Sequence, residues 1–152
     1  GFGMMVKNID KIKNAKFMLV GDGENLQSLK ELAAKLNLNQ KVIFVGAIGH
    51  DELNEYYNAC DVYLQPSIGH EAFGITVIEA LAANKPCVVS INGGMKEIIK
   101  DGVNGYKFKI SDENDMIEKI NLTLENIENL RPRASIKGMY EWSKFAQELV
   151  EV

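Results

Sequence analysis

The chain has 152 residues, a formal net charge of -4, 46% hydrophobic residues and 25% charged ones. A chain of this size and composition can form one globular domain that buries about two-thirds of its unfolded surface without metals or disulfides. The acidic balance argues against a nucleic-acid binder, which is usually basic; no apolar run approaches the roughly 20 residues of a membrane span, and no stretch reads as a signal peptide.

In chain order, residues 4–14 carry Met5, Ile9 and Ile12 at helical spacing. Phe17, Met18, Leu19 and Val20 form a short apolar run of the kind that becomes a parallel strand covered on both faces. Gly21, Asp22 and Gly23 turn it into a helix with Leu26, Leu29, Leu32 and Leu36 along one side. This turn lacks the third glycine and the downstream acid of a dinucleotide fingerprint, and a plain strand-to-helix turn explains Gly23 as well. Val42, Ile43, Phe44 and Val45 make the next strand; past Gly46, Ala47, Ile48 and Gly49, a helix opens at His50 or Asp51 and runs through Tyr56 and Tyr57. His50 reads as a surface loop residue.

Residues 61–65 are a further strand-like run. Asn84, Lys85 and Pro86 break the chain before Cys87, Val88, Val89, Ser90 and Ile91, another buried parallel strand. Gly93 and Gly94 let the backbone bend into a short helix over residues 96–99, or approach a ligand closely; Lys96 meets a phosphate only if that turn points it inward. Residues 101–105 form a tight turn into Tyr106, Lys107 and Phe108. Met116, Ile117, Ile120, Leu124 and Ile127 stripe a helix capped by Ser111 or Asp112. Beyond Pro132, a last amphipathic helix carries Trp142, Phe145, Ala146 and Leu149, read as core or docking residues. Cys60 and Cys87, both in apolar strand contexts, read as buried small hydrophobes rather than a disulfide. The alternation of strands and helices implies an α/β fold, a Rossmann-like parallel sheet flanked by helices, with ligands outside the carboxyl ends of the strands.

The stretch over residues 66–81 concentrates the chemistry. It leaves the run Val62 to Leu64 as a loop and closes as a helix, with Ile75, Ile78, Leu81 and Ala82 spaced as one apolar face. Phe73, Gly74, Ile75 and Thr76 fall in its first turn, where backbone N–H groups have no intrahelical acceptor; such a tip, with a glycine for close approach, receives anions, above all phosphate. Glu71 precedes the helix and Glu79 lies about a turn and a half inside it, roughly 7–9 Å along the axis at 1.5 Å per residue. One carboxylate can then meet hydroxyls on one side of a bound diphosphate and the other can meet those on the far side, which matches the ribose, diphosphate and hexose of a nucleotide sugar. Carboxylates accept from vicinal hydroxyls, and neither is expected on the phosphates. The alternative makes Glu71 a helix-dipole partner and Glu79 a solvated helix residue; but Ile78 and Ala82 set Glu79 toward the buried stripe, where an unpaired charge is costly. His70 can contact phosphate or acceptor, or be a plain loop histidine.

The segment Glu71-Ala72-Phe73-Gly74-Ile75-Thr76-Val77-Ile78-Glu79 resembles the E-x7-E signature of retaining glycosyltransferases of family 4, enzymes of the GT-B fold with two facing Rossmann-like domains. The GDG turn, VIFVG, NACDVYLQPS, KPCVVS, the Gly93-Gly94 pair and DGVNGYKF follow in the family's order. The resemblance covers nearly the whole chain and makes residues 1–152 the C-terminal, nucleotide-sugar-binding domain. It implies a hexosyltransferase that moves sugar from a UDP- or GDP-sugar to a glycan, lipid or other acceptor with retention of configuration. It also implies that Glu71 holds the sugar hydroxyls at the catalytic centre and that Glu79 holds the ribose. The tip at Phe73, Gly74, Ile75 and Thr76 would ease departure of the nucleoside diphosphate. Gly21 would lie near the donor, and Gly46 and Ile48 beside the base. No cofactor other than the donor substrate is expected, and no metal, since no His/Asp cluster has ligand spacing. The implied partners are donor, acceptor and an N-terminal domain of the same enzyme, with no nucleic acid; the implied location is cytoplasmic, including the inner membrane face.

Against the family pattern, the chain lacks an opening strand, the Arg and Lys that follow it and neutralise the diphosphate, and the N-terminal acceptor domain. A diphosphate carries about two negative charges and two nearby carboxylates do not help, so the fragment alone is expected to bind donor weakly and not to turn over. The first strand of a doubly wound sheet is central, so its place is expected to stand open or be filled by other chain. Two further readings stay open: a GT-B sugar-nucleotide epimerase, which needs acid and base residues the chain does not display, and a nucleotide-sugar-binding domain without catalysis.

Overall fold

The computed structural model describes residues 1–69 and 73–136. Glu71 and His70, and the helix expected around Trp142, Phe145, Ala146 and Leu149, lie outside the described residues. Helix and strand alternate through the chain: α1 (Phe2–Asn8), a 3₁₀ turn (Ile9–Lys11), β1 (Phe17–Val20), α2 (Leu26–Lys35), β2 (Val42–Gly46), a 3₁₀ turn (His50–Glu52), α3 (Leu53–Ala59), β3 (Tyr63–Gln65), α4 (Ile75–Ala82), β4 (Cys87–Ser90), α5 (Met95–Ile98), β5 (Gly105–Phe108), α6 (Glu113–Glu125) and α7 (Pro132–Ser135). Each pair of neighbouring strands is parallel, as crossover helices require. The expected α/β class is what is found.

Helices cover both faces of the strands. One core joins Met5 and Val6 of α1, Phe17 and Leu19 of β1, Val88 of β4, Phe108 of β5 and Met116 and Ile120 of α6. The other joins Tyr57 of α3, Val77, Ala80 and Leu81 of α4, Cys87 and Val89 of β4 and Met95 and Ile98 of α5. Strand β4 shows the logic most clearly: all its residues are buried, with Val88 in one core and Cys87 and Val89 in the other, the period of two that a doubly covered strand demands. Asp112 caps α6 by accepting from the Asp115 N–H at 3.0 Å.

The strands divide into two sheets, β1-β2 and β3-β4-β5. Among the described residues no strand pairing joins them. Side chains do: Phe17 and Leu19 from one sheet and Val88 and Phe108 from the other share a single core.

Three sequence expectations are corrected. The spacing sets Ile75, Ile78, Leu81 and Ala82 on the buried face of α4, but Val77, Ala80 and Leu81 are the buried residues, Ile75 is 63% exposed, and Ala82 is exposed. Apolar residues occupy Ile75, Val77, Ile78, Ala80, Leu81 and Ala82, so periodicity alone does not select a face; tertiary contacts do. Leu36 is exposed at the end of α2, because Asn37 adopts φ 57° and the turn delivers Leu38 to the core instead. Cys60 is no strand residue: it caps the C-terminus of α3, half-buried, whereas Cys87 is fully buried; both are free thiols, and burial raises each thiol's pKa.

Gly105 opens β5 directly against Cys87, and a Cβ there would stand 1.8 Å from the Cys87 carbonyl oxygen. Gly105→Ala is therefore expected to cost about 3 kcal/mol or more in urea unfolding. Gly23→Ala, whose Cβ would meet nothing within 4 Å, should change stability by about 0.5 kcal/mol or less.

Candidate functional site at the carboxyl edge of the strands

Parallel strands deliver their carboxyl ends to a common edge, and the loops that leave them there carry the candidate residues. Gly21, just past β1, has φ 121°, and its N–H donates to the carbonyl of Gly46 at 2.8 Å; Gly46, ending β2, has φ 87°. The two glycine turns are thus tied together. A Cβ at either would meet nothing within 4 Å, so the backbone there faces open space. Ile48 follows, half-buried, and the Gly49 N–H donates to the Glu52 carboxylate at 3.0 Å as the chain enters α3.

The loop after β3 is held against β4 by a relay of polar side chains. Tyr63 Oη donates to Gln65 Oε1 at 2.7 Å, and Gln65 Nε2 donates to Ser67 Oγ at 2.9 Å. Ser90 Oγ, at the end of β4, donates to the Ser67 carbonyl at 2.7 Å, and Asn92 Nδ2 donates to the Gly69 carbonyl. Pro66 between them is buried. The loop is therefore anchored up to Gly69, directly before the segment that holds Glu71.

Gly74 sets the start of α4. It is buried, with φ 75° and ψ 44°, a left-handed conformation that glycine takes without a Cβ penalty. A Cβ there would lie 2.9 Å from Met95 Cγ of α5. Its carbonyl accepts from the Val77 N–H at 3.0 Å, so the helix begins immediately. Phe73 is 55% exposed, and Ile75 and Thr76 are also exposed. The tip thus presents its first turn outward at the carboxyl edge, and the N–H groups of Ile75 and Thr76 precede any intrahelical acceptor. Large apolar side chains in water are a cost that a docking surface or a ligand would relieve.

Glu79 sits farther along α4 on the side that faces α3. It is half-buried, and its Oε2 accepts a hydrogen bond from Tyr57 Oη at 2.8 Å; among the described residues the carboxylate has no other hydrogen-bond partner. Tyr57 is 9% exposed, and its ring meets Tyr63 edge-on with centroids 5.7 Å apart. Burial, followed by the bond to Glu79, holds its phenol well above its ordinary pKa. Together Glu79 and Tyr57 line a groove of about 370 Å³ between α3 and α4, which His50, Leu53, Asn54 and Arg133 also border.

The structure therefore brings Gly21, Gly46 and the tip at Phe73, Gly74, Ile75 and Thr76 to one edge, and turns Glu79 toward α3. Glu79 owes its partial burial to α3, not to Ala82, which is exposed. Lys96 is exposed on α5. Sequence reasoning passed over Tyr57 as an ordinary helix residue. The available signal was its polar head: a tyrosine on the apolar face of a helix usually finds a partner for its hydroxyl. No group of three or more His, Cys, Asp or Glu side chains suited to a metal occurs among the described residues, and none of the described helices is long and apolar enough to cross a membrane.

Comparison with known proteins gives these features a context. The family model of glycosyl transferases group 1 matches residues 2–138. An uncharacterized glycosyltransferase of Methanocaldococcus jannaschii is 33% identical over 161 residues, covering 100% of this chain and 41% of that protein. The lipopolysaccharide 1,2-N-acetylglucosaminetransferase of Salmonella typhimurium is 30% identical over 150 residues, covering 91% of this chain and 39% of that enzyme. The chain thus spans about two-fifths of the length of these relatives. Among solved structures, Anabaena HepE in complex with UDP and glucose superimposes with a TM-score of 0.88 at 22% identity, covering 99% of this chain and 44% of that one. Sucrose-phosphate synthase from Thermosynechococcus elongatus gives a TM-score of 0.86 at 26% identity, covering 99% and 41%.

The crowding at Gly74 makes a direct test of how the tip is built. Gly74→Ala should lower stability by about 1–3 kcal/mol, because the left-handed φ and the contact with Met95 both oppose a Cβ. Thr76→Ala, on the exposed side of the same turn, should stay within about 0.5 kcal/mol of the parent; thermal melts of both variants check the contrast.

Proposed function

The chain belongs to the glycosyl transferases group 1 family, and from that premise we propose that it is the donor-binding half of a retaining GT-B enzyme that transfers a hexosyl group from a nucleotide sugar. The observation that carries this reading is the helix tip that starts at the buried Gly74 and exposes Ile75 and Thr76, with Glu79 farther along the same helix, half-buried and hydrogen-bonded instead of lying in bulk water.

The chemistry follows from charge. Breaking the bond between sugar and diphosphate develops negative charge on the leaving oxygen. The N–H groups of the first turn of α4 are positioned before that charge appears, so they stabilise it without reorganising, and the dipole of α4 favours it further. Glu79, beside the groove, accepts from the vicinal hydroxyls of the ribose. Glu71, ahead of the helix, holds the hydroxyls of the transferred sugar and orients its anomeric carbon. The glycine turns at Gly21 and Gly46 leave backbone room for the donor, and Ile48 offers an apolar surface to the base. A UDP-sugar is the first donor to test, because Anabaena HepE is seen with UDP and glucose; a GDP-sugar is the next. The acceptor is a glycan or lipid at the cytoplasmic side.

The split sheet supports a wider assembly. A doubly wound sheet places one strand between a pair such as β1-β2 and a triplet such as β3-β4-β5. In the whole protein a further parallel strand occupies that place, and the cations that neutralise the diphosphate come with it. An N-terminal domain binds acceptor and closes over the donor.

The deciding experiment incubates the full-length enzyme with UDP- and GDP-sugars and candidate acceptors and reads the anomeric configuration of the product by NMR. Transfer with retention supports the reading; inversion at the anomeric centre, epimerisation of the donor sugar, or binding without turnover would replace it. In the same protein, Glu79→Ala should weaken nucleoside diphosphate binding about 10- to 100-fold, the worth of a hydrogen bond to a charged group. Glu71→Ala should chiefly lower kcat and sugar discrimination and leave diphosphate affinity within about threefold. Calorimetry and steady-state kinetics separate the two.

A further inference from the structure

The Glu79 carboxylate has a single hydrogen-bond partner among the described residues, and that partner is a neutral donor. Arg133 borders the same groove, yet its Nε donates to the Ala82 carbonyl at 2.7 Å and no salt bridge forms between it and Glu79. The hydroxyl that does reach Glu79 belongs to Tyr57, 22 residues earlier on a different helix. This choice of partner has consequences. An arginine would engage both carboxylate oxygens in a fork and cancel the charge. A phenol engages Oε2 alone and leaves Oε1 available as a second acceptor on a side chain that lines the groove.

Tyr57 is also a rigid donor. Its ring is buried in the core with Val77, Ala80 and Leu81 of α4, and it packs edge-on against Tyr63, so its hydroxyl cannot follow a wandering carboxylate. A glutamate on a helix surface samples several rotamers, and a ligand that selects one of them bears that ordering cost. The 2.8 Å bond removes it beforehand. Burial and the bond to Glu79 raise the phenol's pKa, which favours the protonated, donating form of Tyr57.

We propose that Tyr57 is a positioning residue for donor recognition: by holding Oε2 of Glu79 it aims Oε1 at the ribose hydroxyls and so sets the preference for ribose over deoxyribose nucleotides. This rests on the assignment of Glu79 to the ribose, and the test separates the two. The full-length enzyme is titrated calorimetrically with UDP and with 2′-deoxy-UDP, alone and as Tyr57→Phe, Glu79→Gln and the double variant. The unmutated enzyme should prefer UDP about tenfold or more, and Glu79→Gln should remove most of that preference. Tyr57→Phe, which deletes one oxygen and keeps the ring, should reduce the preference about three- to tenfold through weaker UDP binding, with 2′-deoxy-UDP binding little changed. In the Glu79→Gln background it should have no further effect, since it acts through that carboxylate.

An unchanged preference in Tyr57→Phe alongside a collapse in Glu79→Gln would overturn the positioning role and leave the ribose assignment standing. Equal weakening of both nucleotides would mark Tyr57 as merely structural and overturn the proposal as well. If Glu79→Gln keeps the full preference, the ribose assignment fails and the role of Tyr57 fails with it. Melting temperatures are taken alongside, and Tyr57→Met, which also lacks the donor, replaces the phenylalanine variant if that one does not fold.

Discussion

The contact between Gly74 and Met95 governs the candidate site. A buried left-handed residue with no room for a Cβ starts α4 at one point and in one roll. Once that roll is set, Val77, Ala80 and Leu81 must face the core, Ile75 and Thr76 must face out, and Glu79 must face α3. An eight-residue helix has little stability of its own. Packing against α5 and β4 supplies it, so the tip's geometry is a property of the whole face and not of the segment.

Around that constraint the polar groups are arranged to be satisfied. Tyr63, Gln65, Ser67 and Ser90 form a relay that holds the loop after β3 against β4, and within the described residues no buried side-chain oxygen or nitrogen lacks a partner. Asn104 does the same at the opposite side of β4: fully buried, it donates to the Ile98 carbonyl and to Ser135 Oγ and accepts from the Lys100 N–H, binding α5, β5 and α7 together. Such networks resist rearrangement because each member lost would leave another unpaired in a low dielectric. The loop after β3 is held in this way as far as Gly69, just ahead of the candidate site.

The two sheets illustrate how differently packing and pairing contribute. Side chains from β1, β4 and β5 share one core although no ladder crosses between the sheets. Burial is non-directional and tolerates such a seam, whereas backbone groups at a strand edge need a partner with a matching register. Across the seam, among the described residues, shared apolar packing takes the place of a strand ladder, and side-chain hydrogen bonds such as Asn8 to Glu113 at 3.0 Å add to it.

The sequence by itself determined the class of fold and most of the strands. Runs such as Phe17 to Val20 and Cys87 to Ser90 read as parallel strands, the second buried at every residue and the first at alternate ones, and a glycine at position 74 between an acid and an apolar helix marks a helix tip. Family membership over residues 2–138 agrees with that order of motifs. Tertiary structure alone decided which way α4 faces, since its residues are apolar nearly all round. It also decided that Leu38 and not Leu36 enters the core, because a left-handed Asn37 reverses the chain between them. And it decided that Tyr57 meets Glu79, a pairing of residues 22 positions apart. Local pattern records which residues avoid water; which polar group finds which across two helices depends on how those helices pack, and no single segment carries that information.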